Sequence, residues 1–531
     1  MQKVNCNILD FLLLCYSLMA GFNFYFTHQN RLCLFEVAKW STFLLCYIVA
    51  RKISHKERIL WGIIFLGMVE GIIAIFQKTH WLNSVHHDFN VTGTFSNPGP
   101  LGGFMGATIT IILGLYLTKK CFIPKWALFT IFILFCFILL LADSRAGFLS
   151  TLFGMATLCC LFKKMKVESF VLIKSVSLFL FMILFIISIY YYKKDSADGR
   201  LLIWRVSIDM IADAPLVGHG IGTFENKYMY YQAQYFESHP NSKYEKLADN
   251  IVYPYNEFLR IGVEQGIIGI IFILCIIASI FKYTSKEKYN KVYLGGFVSL
   301  LTFSMFSYPF NVLLLWLLGS LLLGGIQYQK NIYALTKYKF QSSWIIIVCL
   351  VLSIKGGHDY YNLKLNVRKL YSESLQKRKV AEAYIERCQV CLQSTPHLLD
   401  VYAQYSFLQL PATKSLLILK QASTIIPSSE LYCDLGDVYK EQKQIDKAME
   451  CYILAKNMLP NRLLPKYKLF CLYREQRDSI KMYKIGQPQI RNFVCCGLMG
   501  WDLIRLVMPM SGIELQIAAD VHSYPLPHDA A

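Results

Sequence analysis

Three stretches of this 531-residue chain place ionisable side chains where they could do chemistry. Arg145 stands in Asp143-Ser-Arg-Ala-Gly, and Arg200 and Arg205 stand in Asp198-Gly-Arg-Leu-Leu-Ile-Trp-Arg. Glu257 and Arg260 follow Tyr255 and Asn256 in Tyr255-Asn-Glu-Phe-Leu-Arg, with Arg260 about one helical turn beyond Asn256. A guanidinium offers a planar fork of donors that fits phosphate oxygens and steadies negative charge as it develops. A buried carboxylate such as Glu257, or else His219 or His239, could accept a proton. The plainer reading of each arginine is an interfacial side chain that snorkels to lipid phosphate.

The elements that must position these residues are membrane helices. Hydrophobic residues make up 55% of the chain and mean hydropathy is +0.38, more than a soluble protein of this size would carry. Apolar runs near residues 7–26, 32–50, 58–76, 100–118, 126–142, 147–162, 169–190, 257–280, 292–308, 311–326 and 343–357 are each read as a spanning helix. Every second short loop is basic, beginning with Arg51, Lys52, Lys56 and Arg58, which predicts a cytoplasmic amino terminus. An odd number of spans then puts the long loop at 193–255, and everything after the last span, on the outer side. The net charge of +19 belongs to those loops rather than to a basic stripe interleaved with aromatics, so no nucleic-acid partner is expected. Most of the seventeen cysteines lie in apolar runs, and Cys388-x-x-Cys391 has no second pair at metal-ligand spacing, so neither disulfides nor a metal are expected. Glu36, Lys39 and Glu70 lie within spans, where interhelical pairing and a cavity role are both open.

Beyond about Asn362 the chain turns polar and helix-forming. Leu435-Gly436, Tyr439, Ala448, Tyr452, Ala455 and Pro460 follow the spacing of a tetratricopeptide repeat, with weaker copies before it at Ala422 and Pro427 and between Tyr371 and Pro396. The expected fold is therefore all-α: a polytopic membrane helical bundle over 1–360, a soluble α-solenoid of tetratricopeptide type over 361–490, and an irregular tail over 491–531. Such a solenoid either grips a protein partner or braces the membrane domain. The glycine-rich Gly218-His-Gly-Ile-Gly lacks a preceding strand and reads as a turn that folds the loop against the membrane, not as a nucleotide fingerprint.

Taken in order, GTFSNPGPLGG, SRAG, GRLLIWR, PLVGHGIGTF and NEFLRIGVEQGIIG resemble the O-antigen ligase and polymerase superfamily over most of residues 60–325. The resemblance implies a GT-C-like enzyme of the bacterial inner membrane. It would move a glycan from an undecaprenyl-diphosphate carrier to an acceptor hydroxyl on the periplasmic face, without metal or cofactor. It casts Arg145 and Arg200 as the arginines that hold the diphosphate, with Arg205, Tyr255, Asn256, Arg260 and His219 about the substrate. Many ligases of the superfamily have a His-Asn pair where this chain reads Tyr255-Asn256-Glu257, which makes Glu257 the expected base, with His219, His239 or no base as alternatives. Ligation to lipid A core or another glycan acceptor, polymerisation of lipid-linked repeats, and transfer to a protein hydroxyl all share the diphosphate site. A transporter or flippase fits the helices but lacks an evident inverted repeat, and a mere scaffold would have no use for the arginines.

Overall fold

The computed structural model describes residues 4–5, 7–27, 34–84, 89–118, 123–162, 194–284, 286–327, 339–340, 342–372, 374–393, 395–478, 480–482 and 485. It is helical apart from a two-residue antiparallel pairing of β1 (Val4–Asn5) with β2 (Lys339–Phe340). Two compact units emerge: residues 1–224 with 253–362, and residues 225–252 with those from 363 onward.

The first unit contains α1 (Ile8–Thr27), α2 (Leu34–Lys52), α3 (Lys56–Lys78), α4 (Pro98–Thr118), α5 (Lys125–Ala142), α6 (Arg145–Phe162), α7 (Lys194–Asp213), the start of α8 (Thr223–Ser238), α9 (Glu257–Tyr283), α10 (Lys288–Ser304), α11 (Leu313–Gly325) and most of α12 (Ser342–Lys369). Each expected span outside 169–190 coincides with a helix here; 169–190 itself lies outside the described residues. Six of these helices, α1, α3, α4, α5, α6 and α9, are long and apolar enough to cross a membrane, which makes this a multi-pass membrane protein. Of the other expected spans, α11 is a shorter apolar helix whose 13 residues reach about 20 Å at 1.5 Å per residue.

The glycine-rich helix α4 is the hub, buried along most of its length against α3, α5, α6 and α10. Small residues let α4 and α6 touch: a Cβ on Gly147 would stand 2.7 Å from the backbone of Gly102, so even alanine would push the helices apart. The loop ahead of α4 hangs from α3. Gln77 accepts from the amides of Thr92 and Gly93 and donates to the Gly93 carbonyl, while Glu70 accepts from the amide and hydroxyl of Thr94. Glu70, placed within a span by sequence, thus has a structural partner.

α9 is broken at Gly266, whose φ of 64° is left-handed. The break would leave backbone groups unsatisfied in an apolar setting, but the strip 215–220 fills it. The amides of His219 and Gly220 donate to the carbonyls of Val263 and Glu264, and Ile267 and Ile268 donate to the carbonyls of Pro215 and Leu216. A Cβ on Gly218 would meet the backbone of Glu264 and Gln265 at 2.4 Å, so the glycine motif serves close backbone approach. That is the turn foreseen for Gly218-His-Gly-Ile-Gly, with its partner now identified.

The second unit contains α13 (Leu375–Arg387), α14 (Gln389–Gln393), α15 (Pro396–Gln409), α16 (Ala412–Ile425), α17 (Ser429–Glu441), α18 (Ile445–Met458) and α19 (Leu463–Glu475), with consecutive helices packed on one another. Gly436 of α17 lies against the ring of Tyr452 on α18, where a Cβ would stand 2.4 Å away. Residues 225–252 of the long loop fold with these helices. Tyr230 donates to the Ser423 carbonyl at 3.0 Å, Gln232 to the Met458 carbonyl at 2.8 Å, and Asn461 to the Ala248 carbonyl at 2.9 Å. The long loop is thus shared between units: α7, with Arg200, belongs to the first and most of α8 to the second. Residues 491–531, expected to be irregular, lie outside the described residues.

Candidate functional site

Two polar clusters form at one end of the first unit, built back to back from the segments 253–257 and 308–311. The first gathers Arg145, Arg200, Tyr253, Tyr255 and Tyr308. Arg145 opens α6, aimed by a tight turn in which Asp143 takes a left-handed φ of 45° after α5 and Ser144 accepts from the Gly147 amide. Its Nη2 donates to Ser196 Oγ at 2.7 Å, tying α6 to α7. Arg200, half-buried on α7, lies over the ring of Tyr255 with its guanidinium carbon 5.2 Å from the centroid. Tyr255 has a left-handed φ of 52°, a strained conformation for a residue with a Cβ. Trp204 of α7 donates to the Pro254 carbonyl at 3.0 Å, and Tyr308 stacks on Tyr253 at 4.6 Å and meets Tyr255 edge-on at 5.5 Å. Together these contacts hold the strained strap in place.

Charge in this cluster is offset unevenly: the Asp143 carboxylate acts on Arg145 but not on Arg200. Burial, and next the charge of Arg145, pull the Arg200 guanidinium below its ordinary pKa. Among the described residues no carboxylate pairs with Arg200. Burial raises the Tyr308 phenol, which stays a neutral donor beside it. Two guanidiniums and neutral phenols thus share this corner, with Asp143 acting on Arg145 alone.

The second cluster is balanced. Arg260 Nε donates to Glu264 Oε1 at 3.3 Å and its Nη1 donates to Asn311 Oδ1 at 2.8 Å, with Glu257 Oε2 3.7 Å from the same Nη1. Glu257 is buried and its Oε1 accepts from the Phe310 amide at 2.9 Å.

The sequence candidates therefore separate. Arg145, Arg200 and Tyr255 come together, while Glu257 and Arg260 form their own group. Asn256 caps α9, its Oδ1 accepting from the amides of Phe258 and Leu259. Arg205 is exposed on α7. His219 plugs the α9 break and sets Nε2 2.8 Å from the Met210 carbonyl. His239 belongs to the second unit, stacked on Tyr235. Sequence reasoning missed Ser196, Tyr253, Tyr308 and Asn311. The Pro309 between two apolar runs flagged a turn there, and Glu264, four residues past Arg260, was legible as its helical partner.

Residues 130–274, which hold Arg145, Arg200, Glu257 and Arg260, match a family model described as O-Antigen ligase. The chain is also similar to a Rickettsia conorii protein that carries the name polysaccharide ligase, 25% identical over 204 residues, covering 36% of this chain and 47% of that protein. A Rickettsia felis protein of the same name is 27% identical over 134 residues, covering 25% of this chain and 31% of that protein. The chain thus spans about half or less of the length of these relatives. No solved structure matches the chain. The likeness is thus to O-antigen ligases over residues 130–274, and to proteins named polysaccharide ligase over part of their length.

Proposed function

We propose that this protein transfers a glycan from an undecaprenyl-diphosphate carrier to an acceptor hydroxyl on the outer face of a bacterial inner membrane, as a ligase of surface polysaccharide. One observation carries the reading: Arg200, half-buried beside a second guanidinium, has no carboxylate partner among the described residues. Holding like charges together is unfavourable unless an anion joins them. A lipid diphosphate supplies that anion, and Arg145 and Arg200 bind it through paired N–H···O bonds. In the reaction the acceptor oxygen attacks the anomeric carbon, the bond from that carbon to the phosphate oxygen breaks, and its electron pair leaves with the diphosphate. The arginines steady that developing charge, and Glu257 takes the acceptor's proton through Oε2, the oxygen not engaged by the Phe310 amide.

The test is reconstitution in proteoliposomes with undecaprenyl-diphosphate glycan and candidate acceptors. Arg145→Ala and Arg200→Ala should each insert normally and lose transfer by about 10²- to 10³-fold. Full activity in either variant removes that arginine from the site. An undiminished rate in Glu257→Gln removes Glu257 as the base.

A further inference from the structure

The strap that carries Tyr255 is short and stiff by sequence. It reads Asn250-Ile-Val-Tyr-Pro-Tyr255, in which Pro254 fixes its own φ and keeps Tyr253 extended, and Ile251 and Val252 are β-branched. Only Ile251 and Val252 separate Asn250 from Tyr253, a reach of at most about 11 Å. Val252 closes the segment that belongs to the second unit, and Tyr253 resumes the first. Whatever holds Asn250 therefore limits where Tyr253, and Tyr255 beyond it, can stand.

What holds Asn250 is the repeat unit, which pins three consecutive residues just ahead of the strap. Asn461, in the turn between α18 and α19, donates to the Ala248 carbonyl at 2.9 Å. Gln232 donates to the Asp249 carbonyl at 3.2 Å and to the Met458 carbonyl at 2.8 Å. Asn250 Nδ2 donates to Glu430 Oε2 at 2.6 Å, in the first turn of α17. Hydrogen bonds of this kind add little net stability, but they fix one register. At its other end the segment leaves the first unit inside a helix. Phe224 is buried there, Thr223 Oγ1 donates to the Gly220 carbonyl at 2.6 Å, and α8 continues to Ser238 in the second unit.

The strap needs such a grip. A left-handed turn at a residue with a Cβ lasts only where its surroundings over-determine it. Beyond Tyr255, Asn256 caps α9, and within the strap Tyr253 stacks on Tyr308 while Trp204 holds the Pro254 carbonyl. Upstream, the restraint is the pinned row 248–250.

We propose that the repeat unit is a positioning element of the transfer site: Asn461, Gln232 and Glu430 fix residues 248–250 and thereby keep Tyr255 in its left-handed turn, its ring under Arg200. The ligand of the repeats is then the chain's own loop, and these three residues act on the reaction only through Tyr255 and Arg200. The assignment rests on the transfer reading above and names what sets the geometry of its site.

The strap has its own reporter, since Trp204 Nε1 donates to the Pro254 carbonyl. In the full chain, labelled with 5-fluorotryptophan and held in lipid nanodiscs, the Trp204 fluorine resonance is the one lost in Trp204→Phe. Glu430→Ala should shift or broaden that resonance and lower kcat about tenfold. Glu430→Gln keeps an acceptor for Asn250 and should restore both. Asn461→Ala, at an exposed turn residue, should act in the same direction without disturbing the packing of the repeats. An unmoved Trp204 resonance in both alanine variants, whatever their thermal midpoints, would make the repeats a brace and overturn the proposal. A moved resonance with full kcat overturns it too. A wild type that shows the Trp204 response to Glu430→Ala but no transfer strikes the transfer reading and leaves the coupling of repeats to strap standing, so the two failures are told apart.

Discussion

Arg200 and Arg260 stand at the same end of the membrane unit and differ in company. Arg260 is engaged by Glu257, Glu264 and Asn311, while Arg200 has a second arginine, a tyrosine face and no carboxylate among the described residues. A buried ion cluster with its partners in place tells of structure, because removing one member strands the others. A guanidinium beside a second one, with no carboxylate of its own, is where an added anion would be stabilised most. The difference teaches that the residue type alone does not mark the site; the balance of charge around it does.

The sharpest way to break this comparison is to remove Arg260. Arg260→Ala leaves Glu257 and Glu264 buried without their cation and should cost about 3–5 kcal/mol of stability, read as a large drop in the thermal midpoint in detergent. Arg200→Ala should leave that midpoint within about 0.5 kcal/mol of wild type or raise it, since it relieves repulsion. Arg260→Met combined with Glu257→Gln and Glu264→Gln should recover most of the loss, because a neutral set strands no charge. Equal destabilisation by Arg200→Ala and Arg260→Ala would erase the distinction between the clusters.

A smaller effect tests the geometry of the cradle. Arg200→Lys keeps the charge but loses the planar fork, so transfer should fall about tenfold with stability unchanged, the loss lying in the donor's KM as well as kcat. Retention of full activity by lysine would mean that a point charge suffices and that bidentate binding is not what the strap of Tyr253 to Tyr255 positions.

Much of this arrangement was legible in the sequence, for identifiable reasons. Long apolar runs fix helices whatever their neighbours, so the expected spans and the observed helices agree closely outside 169–190. Arg145 and Arg200 drew attention through the resemblance, as the arginines of SRAG and GRLLIWR. The break in α9 was not legible. Gly266 announces a weak point, but the break persists only because the strip 215–220 supplies its hydrogen bonds, a pairing between distant segments that no local pattern encodes. Likewise Asn256 reads equally well as a substrate contact or a helix cap, and only coordinates show its Oδ1 on the amides of Phe258 and Leu259. The division of the long loop at Phe224 also escaped notice, since Tyr230 and Gln232 find their partners in a part of the chain some two hundred residues away.

The same contrast of partnered and unpartnered charge extends to the second unit, with the smallest expected effect. Asp437 there has Lys468 at 2.8 Å, whereas Asp434, on the same helix, has no hydrogen bond or ion pair among the described residues. Burial first, and then the charge of Asp437, push the Asp434 carboxyl up to about 8, with Lys468 opposing and Asp400 and Glu430 adding to the rise. The sign follows from proton linkage. Between about pH 4 and pH 8 the folded chain keeps a proton on Asp434 that the unfolded chain has released, so stability is full below that window and falls as pH rises through it. Asp434→Asn carries no such proton and should flatten the slope. Hydrogen exchange of the α17 amides in the full chain, wild type beside Asp434→Asn, should show a protection gap that is small at pH 5 and widens in the variant's favour toward pH 8. A gap that stays constant would mean that Asp434 is as well compensated as Asp437, and that lacking a close cation does not, in this unit, leave a carboxylate unbalanced.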